Sequence, residues 1–131
     1  MTQYLAPEEV LVIHARIVDA TGGSHGVRDV GAVASLCERP KMEFGGTELY
    51  PTLFHKAAAY FESCAMHHVF VDGNKRTAAA IAARFLYLND YDLTASNAAL
   101  EKFVIDAVVK KYDIGKIAAW FKKHSRKKAH K

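Results

Sequence analysis

His68-Val69-Phe70-Val71-Asp72-Gly73-Asn74-Lys75-Arg76 interrupts two apolar segments of helical period, and the reading of this stretch decides the fold. Upstream, Phe54, Ala57, Ala58, Phe61 and Ala65 lie on one face of a helix that Pro51 opens. Downstream, Ala78, Ile81, Phe85 and Leu88 mark the inner face of a second helix, running from about Lys75 to Leu88 and closed by Asn89-Asp90-Tyr91. Between them, Gly73-Asn74 allows a left-handed or nest-like backbone that turns several N–H groups toward one point. A helix N-terminus at the same place adds its dipole, and the two together favour an anion such as phosphate. Asn74 can donate from its amide and Arg76 can hold a phosphate bidentately. Asp72 offers a hard oxygen suited to Mg²⁺. His68 can take a hydroxyl proton near neutral pH. Phe70 is expected to point inward and anchor the loop, leaving residues 68 and 72 facing out. A base, a carboxylate and an anion cradle are the parts that phosphoryl or nucleotidyl transfer requires.

The rest of the chain is read outward from this loop. Pro7-Glu8-Glu9 makes a good first helical turn, with Val10, Ile13 and Ile17 on one face and Thr21-Gly22-Gly23 as the breaker. Asp29 caps a short helix carrying Val30, Val33 and Cys37, which Arg39-Pro40 stops. Gly45-Gly46, between Met42-Glu43-Phe44 and Thr47-Glu48-Leu49-Tyr50, predicts a short β-hairpin or extended flap. Ser96 or Asn97 caps a helix bearing Leu100, Phe103, Val104, Ala107 and Val108. Asp113 caps a last one bearing Ile114, Ile117, Ala118 and Phe121. The expected fold is all-α: a compact bundle of about six helices with one small β-hairpin flap.

A chain of 131 residues, half of them apolar, suggests one domain with a single core. The net charge of +4 belongs to its end. Residues 122–131 carry six Lys or Arg and no acid, and without them 12 basic residues face 14 acidic ones. The expected division is a domain over residues 1–124 and a basic tail over 125–131, the tail reading as a frayed, solvated helix end without aromatics for base stacking. Cys37 and Cys64 read as small core residues in a reducing compartment. Met1-Thr2-Gln3-Tyr4 does not read as a signal peptide, and no apolar stretch approaches the ~18 residues of a membrane span. The expected location is the cytoplasm. His55, His67 and His68 lack a Cys or carboxylate at metal-site spacing, so His55 and His67 read as solvated. His14 and His25 read as helix-surface and loop residues.

The stretch His68-x-Phe70-x-Asp72-Gly73-Asn74-Lys75-Arg76 resembles the Fic signature. Gly26-Val27-Arg28-Asp29-x-Gly31, Arg39-Pro40 and Leu49-Tyr50-Pro51-Thr52-Leu53-Phe54-x-Lys56-Ala57-Ala58 are similar to the Doc ("death on curing") toxin branch of the Fic/Doc family, and the resemblance spans roughly residues 4 to 124. It implies the Fic fold, with His68, Asp72 and Arg76 as catalytic residues. His68 would activate a target Ser or Thr hydroxyl and Asp72 would orient Mg²⁺. Gly73, Asn74, Lys75 and Arg76 would hold the phosphates of ATP. The flap over Lys41–Tyr50 would clamp the target backbone by strand addition.

Relatives that transfer AMP carry Gly where this chain has Lys75, and a second Arg where it has Ala79. In the Doc branch the same Lys accompanies a reversed nucleotide, so the resemblance implies kinase-like transfer of the γ-phosphate. Elongation factor Tu is that branch's known target, and arrest of translation is the outcome. Two other readings stand beside this one: AMP transfer to a hydroxyl, and a catalytically silent co-regulator that binds an antitoxin. No Glu in the chain is followed by Gly or Asn, so the self-inhibitory pattern Ser/Thr-x-x-x-Glu-Gly/Asn of many Fic enzymes does not occur. Restraint is therefore expected from a second chain, a Phd-like antitoxin that folds on binding. DNA is expected to be met only indirectly, through that antitoxin.

Overall fold

A computed structural model describes residues 1–129. Six helices are present among the described residues: α1 (Pro7–Thr21), α2 (Val30–Glu38), α3 (Leu53–Met66), α4 (Asn74–Leu88), α5 (Asn97–Val109) and α6 (Ile114–Lys123). A 3₁₀ turn, Arg39–Lys41, follows α2. The expected flap is an antiparallel hairpin, β1 (Glu43–Phe44) with β2 (Thr47–Glu48), paired Glu43 to Glu48 and Phe44 to Thr47. The all-α expectation therefore holds. No helix among the described residues is long and apolar enough to cross a membrane.

Helices α3 and α4 form the centre. Ala57, Ala58, Tyr60, Phe61 and Cys64 of α3 are fully buried against Ala78, Ile81, Ala82, Phe85 and Leu86 of α4. The small residues let the two axes approach, and the aromatics fill the space on either side; the Tyr60 and Phe85 rings meet at 5.0 Å. Helix α6 closes the other flank, bringing Ile117 and Phe121 against the same cluster. Side-chain caps set the helix starts where the composition places them: Asp29 for α2, Ser96 for α5 and Asp113 for α6 each accept the N–H three residues on. Helix α3 starts at Leu53, two residues past Pro51, where the opening was expected, and Thr52 is its cap.

The C-terminal end is a correction. It is not a frayed helix end: Ser125–Lys127 forms β4, which pairs antiparallel with β3 (Tyr91–Leu93). The ribbon is fastened at both ends by Thr94 N–H to the His124 carbonyl (2.6 Å) and Lys128 N–H to the Asp90 carbonyl (2.8 Å). Residues 125–127 thus belong to the folded body. The last two residues of the expected tail lie outside the described residues.

The flap is fixed from beneath. Lys56 on α3 is 3% exposed; its ammonium donates to the Glu48 carboxylate at 2.9 Å and to the Tyr50 carbonyl. Arg39 donates to the Tyr50 hydroxyl (2.7 Å), Ser63 Oγ (3.0 Å) and Glu62 Oε1 (2.8 Å). Burial works against its charge, but the bonds to Glu62 and Tyr50 outweigh it and hold the guanidinium pKa above its ordinary value.

Candidate active site

Helix α3 ends at Met66 because the chain turns into the left-handed region at His68 (φ 47°). The loop beyond His68 is held open by long-range partners. Val71 N–H donates to the Gly26 carbonyl (3.0 Å), and Arg28 N–H to the Val69 carbonyl (3.0 Å), so residues 26–28 zip against 69–71. Gly26 lets the two segments approach closely: a Cβ there would lie 2.8 Å from Val71 Cγ2 and oblige that side chain to move. Phe70 is fully buried, as expected, and His68 and Asp72 are exposed.

Asn74 does more than offer a donor to a ligand. Its Oδ1 accepts from Phe70 N–H (2.9 Å) and its Nδ2 donates to the Phe70 carbonyl (2.8 Å). The side chain thereby closes the loop on itself, and one amide hydrogen is left over. Cys64 lies below, its thiol donating to the Asn74 carbonyl at 3.4 Å; burial pushes that thiol up to about 12, so it stays protonated.

His14 is the second correction. It is no helix-surface residue but 2% exposed, stacked on the Phe70 ring at 3.7 Å and 7°. Its Nε2 lies 2.9 Å from the Asp72 carbonyl, an acceptor, so Nε2 carries the proton. The Asp72 carboxylate is oriented as well: Oδ2 accepts from Ser24 N–H (2.8 Å), leaving Oδ1 directed to other partners.

Gly73, at φ 78°, is the N-cap of α4. In α2, α3, α5 and α6 a side chain occupies that place and accepts a first-turn N–H. Glycine supplies no acceptor, so the first-turn N–H groups of α4 remain available to an outside anion. Lys75 and Arg76, both exposed, stand beside them.

These residues line one open cleft of about 960 Å³: His68, Asp72, Gly73, Asn74, Lys75 and Arg76, all six of the expected site residues. The opposite wall went unread in the sequence. Val108, Lys111, Tyr112 and Asp113, at the turn from α5 to α6, face the motif across the cleft. The signal for it was present only as a helix end without glycine: Lys111 sits at φ 52°. A second groove of about 720 Å³ runs between α1, α4 and α5, lined by Ile17, Ala79, Ala83, Leu100 and Ile105, and it shares Lys75 and Arg76 with the cleft. Among the described residues no cluster of three His, Cys, Asp or Glu side chains could hold a metal alone. A divalent ion here would need ligand phosphates beside Asp72, which is how Mg²⁺ is commonly held. The donor set, an anion cradle with a free carboxylate oxygen next to it, fits a Mg²⁺-bound polyphosphate.

The Fic/DOC family model matches residues 4–86. The chain is 44% identical over 95 residues to a protein named Toxin Doc from Mycolicibacterium smegmatis, covering 72% of this chain and 71% of that one. It is 32% identical over 87 residues to a protein named Protein kinase doc from Escherichia phage P1, covering 66% and 68%.

Proposed function

This chain belongs to the Fic/DOC family, and from that premise we propose that it is a Doc-type toxin, a phosphotransferase that moves the γ-phosphate of ATP to a Ser or Thr hydroxyl of a translation factor, with elongation factor Tu the expected target. The observation that carries the reading is the pairing of an exposed His68 with a side-chain-free helix cap on one cleft wall. His68 accepts the hydroxyl proton as the oxygen attacks the γ-phosphorus, the bond to the β,γ-bridging oxygen breaks and ADP leaves. The first-turn N–H groups of α4, with Lys75 and Arg76, hold the phosphates and oppose the charge that gathers on the transferring group. Asp72, steadied by Ser24, would hold Mg²⁺ together with the nucleotide. When bound, Mg²⁺ supplies charge neutralisation for the phosphate oxygens. Lys111 adds a cation from the facing wall.

The kinase reading over AMP transfer rests on Lys75, which fills space and adds charge where AMP-transferring relatives carry Gly, and on Ala79. Ala79 is 8% exposed and lines the apolar groove beside the cleft, so the helix turn after Arg76 brings no second cation to the phosphates. That same groove supports restraint by a Phd-like antitoxin. An amphipathic segment seated on Ile17, Leu100 and Ile105 would meet Lys75 and Arg76 and compete with the nucleotide.

The test uses ATP labelled separately at the α- and γ-phosphates, incubated with the protein and a cell lysate. Label from the γ-position is expected on one band, and His68→Ala should lower its rate at least ~100-fold. Transfer of the α-label, or an unchanged rate in the variant, overturns the proposal.

A further inference from the structure

Beyond the cleft, the C-terminal segment is the most basic stretch of the chain, and part of it borders a groove between α5 and α6. Residues 110–128 contain eight Lys or Arg and one acid, Asp113. The basic residues 122–131 have no Phe, Tyr or Trp among them. Folding supplies the rings from elsewhere. Lys116, Trp120 and Lys123 lie at i, i+4 and i+7 of α6, on one stripe, and border a groove of about 430 Å³ with Lys102 and Tyr112. Phe103 and Trp120 line it, and His124 continues their stack beyond its lining. Phe103, 5% exposed, lies 4.1 Å and 10° from Trp120; Trp120 lies 4.0 Å and 22° from His124. The series climbs from the core to partly exposed rings at the surface. Lys116 sits over the Tyr112 ring at 4.2 Å. Of the groove's acids, Asp106 is engaged by Lys102 at 3.5 Å. Tyr112 also lines the active-site cleft, so this face begins at the cleft rim and runs along α6 to Lys123.

We propose that the α5–α6 face binds single-stranded nucleic acid, its lysines following the phosphates while an unpaired base extends the Phe103–Trp120–His124 stack. Cations interleaved with partly exposed rings suit a strand whose bases are free to stack; a duplex offers no such base, and an acidic peptide has no use for the rings. The assignment is independent of the phosphotransfer chemistry and can fail without it.

Trp120 is the single tryptophan of the chain, so its fluorescence reports this face directly. The experiment titrates the full chain with a single-stranded RNA dodecamer at 50 and 200 mM salt. Trp120 emission is expected to be quenched, with affinity falling roughly 20- to 50-fold between the two salts if three or four phosphates are contacted. The double variant Lys116→Glu, Lys123→Glu changes only exposed positions and should lose at least tenfold in affinity. His124→Ala should lose about fivefold, the lower end for one stacked base. Absence of quenching, equal affinity for poly-glutamate, tighter binding of a duplex of equal length or of anionic vesicles, or an unaffected double variant would each overturn the proposal.

Discussion

Helices α3 and α5 end alike on facing walls of one cleft. Each carries a non-glycine residue in the left-handed region just past its C-cap, His68 at φ 47° and Lys111 at φ 52°, and both side chains line the cleft. Glycine is the usual occupant of that position. The two ends differ in what fixes them. At α5 the bonds are local: Lys111 N–H to the Val108 carbonyl and Tyr112 N–H to the Ala107 carbonyl (3.0 Å) satisfy the last carbonyls in a Schellman arrangement. At α3 the chain runs into a loop fixed from far away by Gly26, His14 and Ser24, and closed on itself by the Asn74 clamp. One wall is self-sufficient backbone with a cation hung on it. The other is a polar assembly in which most side chains hold one another, and few are left for chemistry.

That contrast breaks most severely at Asn74. Asn74→Ala removes both bonds to the Phe70 backbone and leaves a part-buried N–H and C=O unpaired, at about 1–2 kcal/mol each. Denaturant melts should show a loss of about 3 kcal/mol, together with loss of phosphotransfer. A loss under about 1 kcal/mol would mean that the pairing of residues 26–28 with 69–71 holds the loop alone. His14 comes next. His14→Ala gives up the stack on Phe70 and the bond to the Asp72 carbonyl, for about 2 kcal/mol. His14→Phe keeps a ring and drops the donor, and His14→Gln keeps a donor and drops the ring. If His14 acts by orienting Asp72, the Gln variant should recover more of the phosphotransfer rate than the Phe variant, whatever their relative melting points.

The sequence is most readable where one short segment carries its own signal. The caps Asp29 and Asp113 and the inward Phe70 are each decided within a few positions, the α5 cap is narrowed to Ser96 or Asn97, and the six motif residues are close enough in sequence to fall on one cleft. What escaped depends on distance or on a misleading residue type. His14 is 58 positions from the carbonyl that it meets. It also occupies the core stripe of α1, Val10–His14–Val18, which an apolar count rotates onto Ile13 and Ile17 because histidine scores as polar. Val30 misled in the opposite sense, an apolar residue in the first turn of α2 that is 77% exposed. Strand β4 has three residues and pairs across an interval holding two helices, so no local alternation announces it. Nothing local marks Lys56 as buried, because its partners Glu48 and Tyr50 reach it only when the flap folds over α3.

Glycine at the two helix ends gives the smallest effect and the sharpest separation. Releasing a side chain from the left-handed region recovers about 1 kcal/mol, less a few tenths for the freedom that glycine adds to the unfolded chain. Lys111→Gly should therefore melt slightly higher than the parent, since the Schellman bonds use backbone alone. Its affinity for Mg·ATP should fall several-fold, because the facing cation is gone. His68→Gly should also melt no lower, and it should transfer no phosphate while still binding nucleotide. A drop in stability on either change would show that the side chain supports the fold. Unchanged nucleotide affinity in Lys111→Gly would confine the anion site to the α4 wall and leave the lysine's left-handed backbone without a role in the cleft.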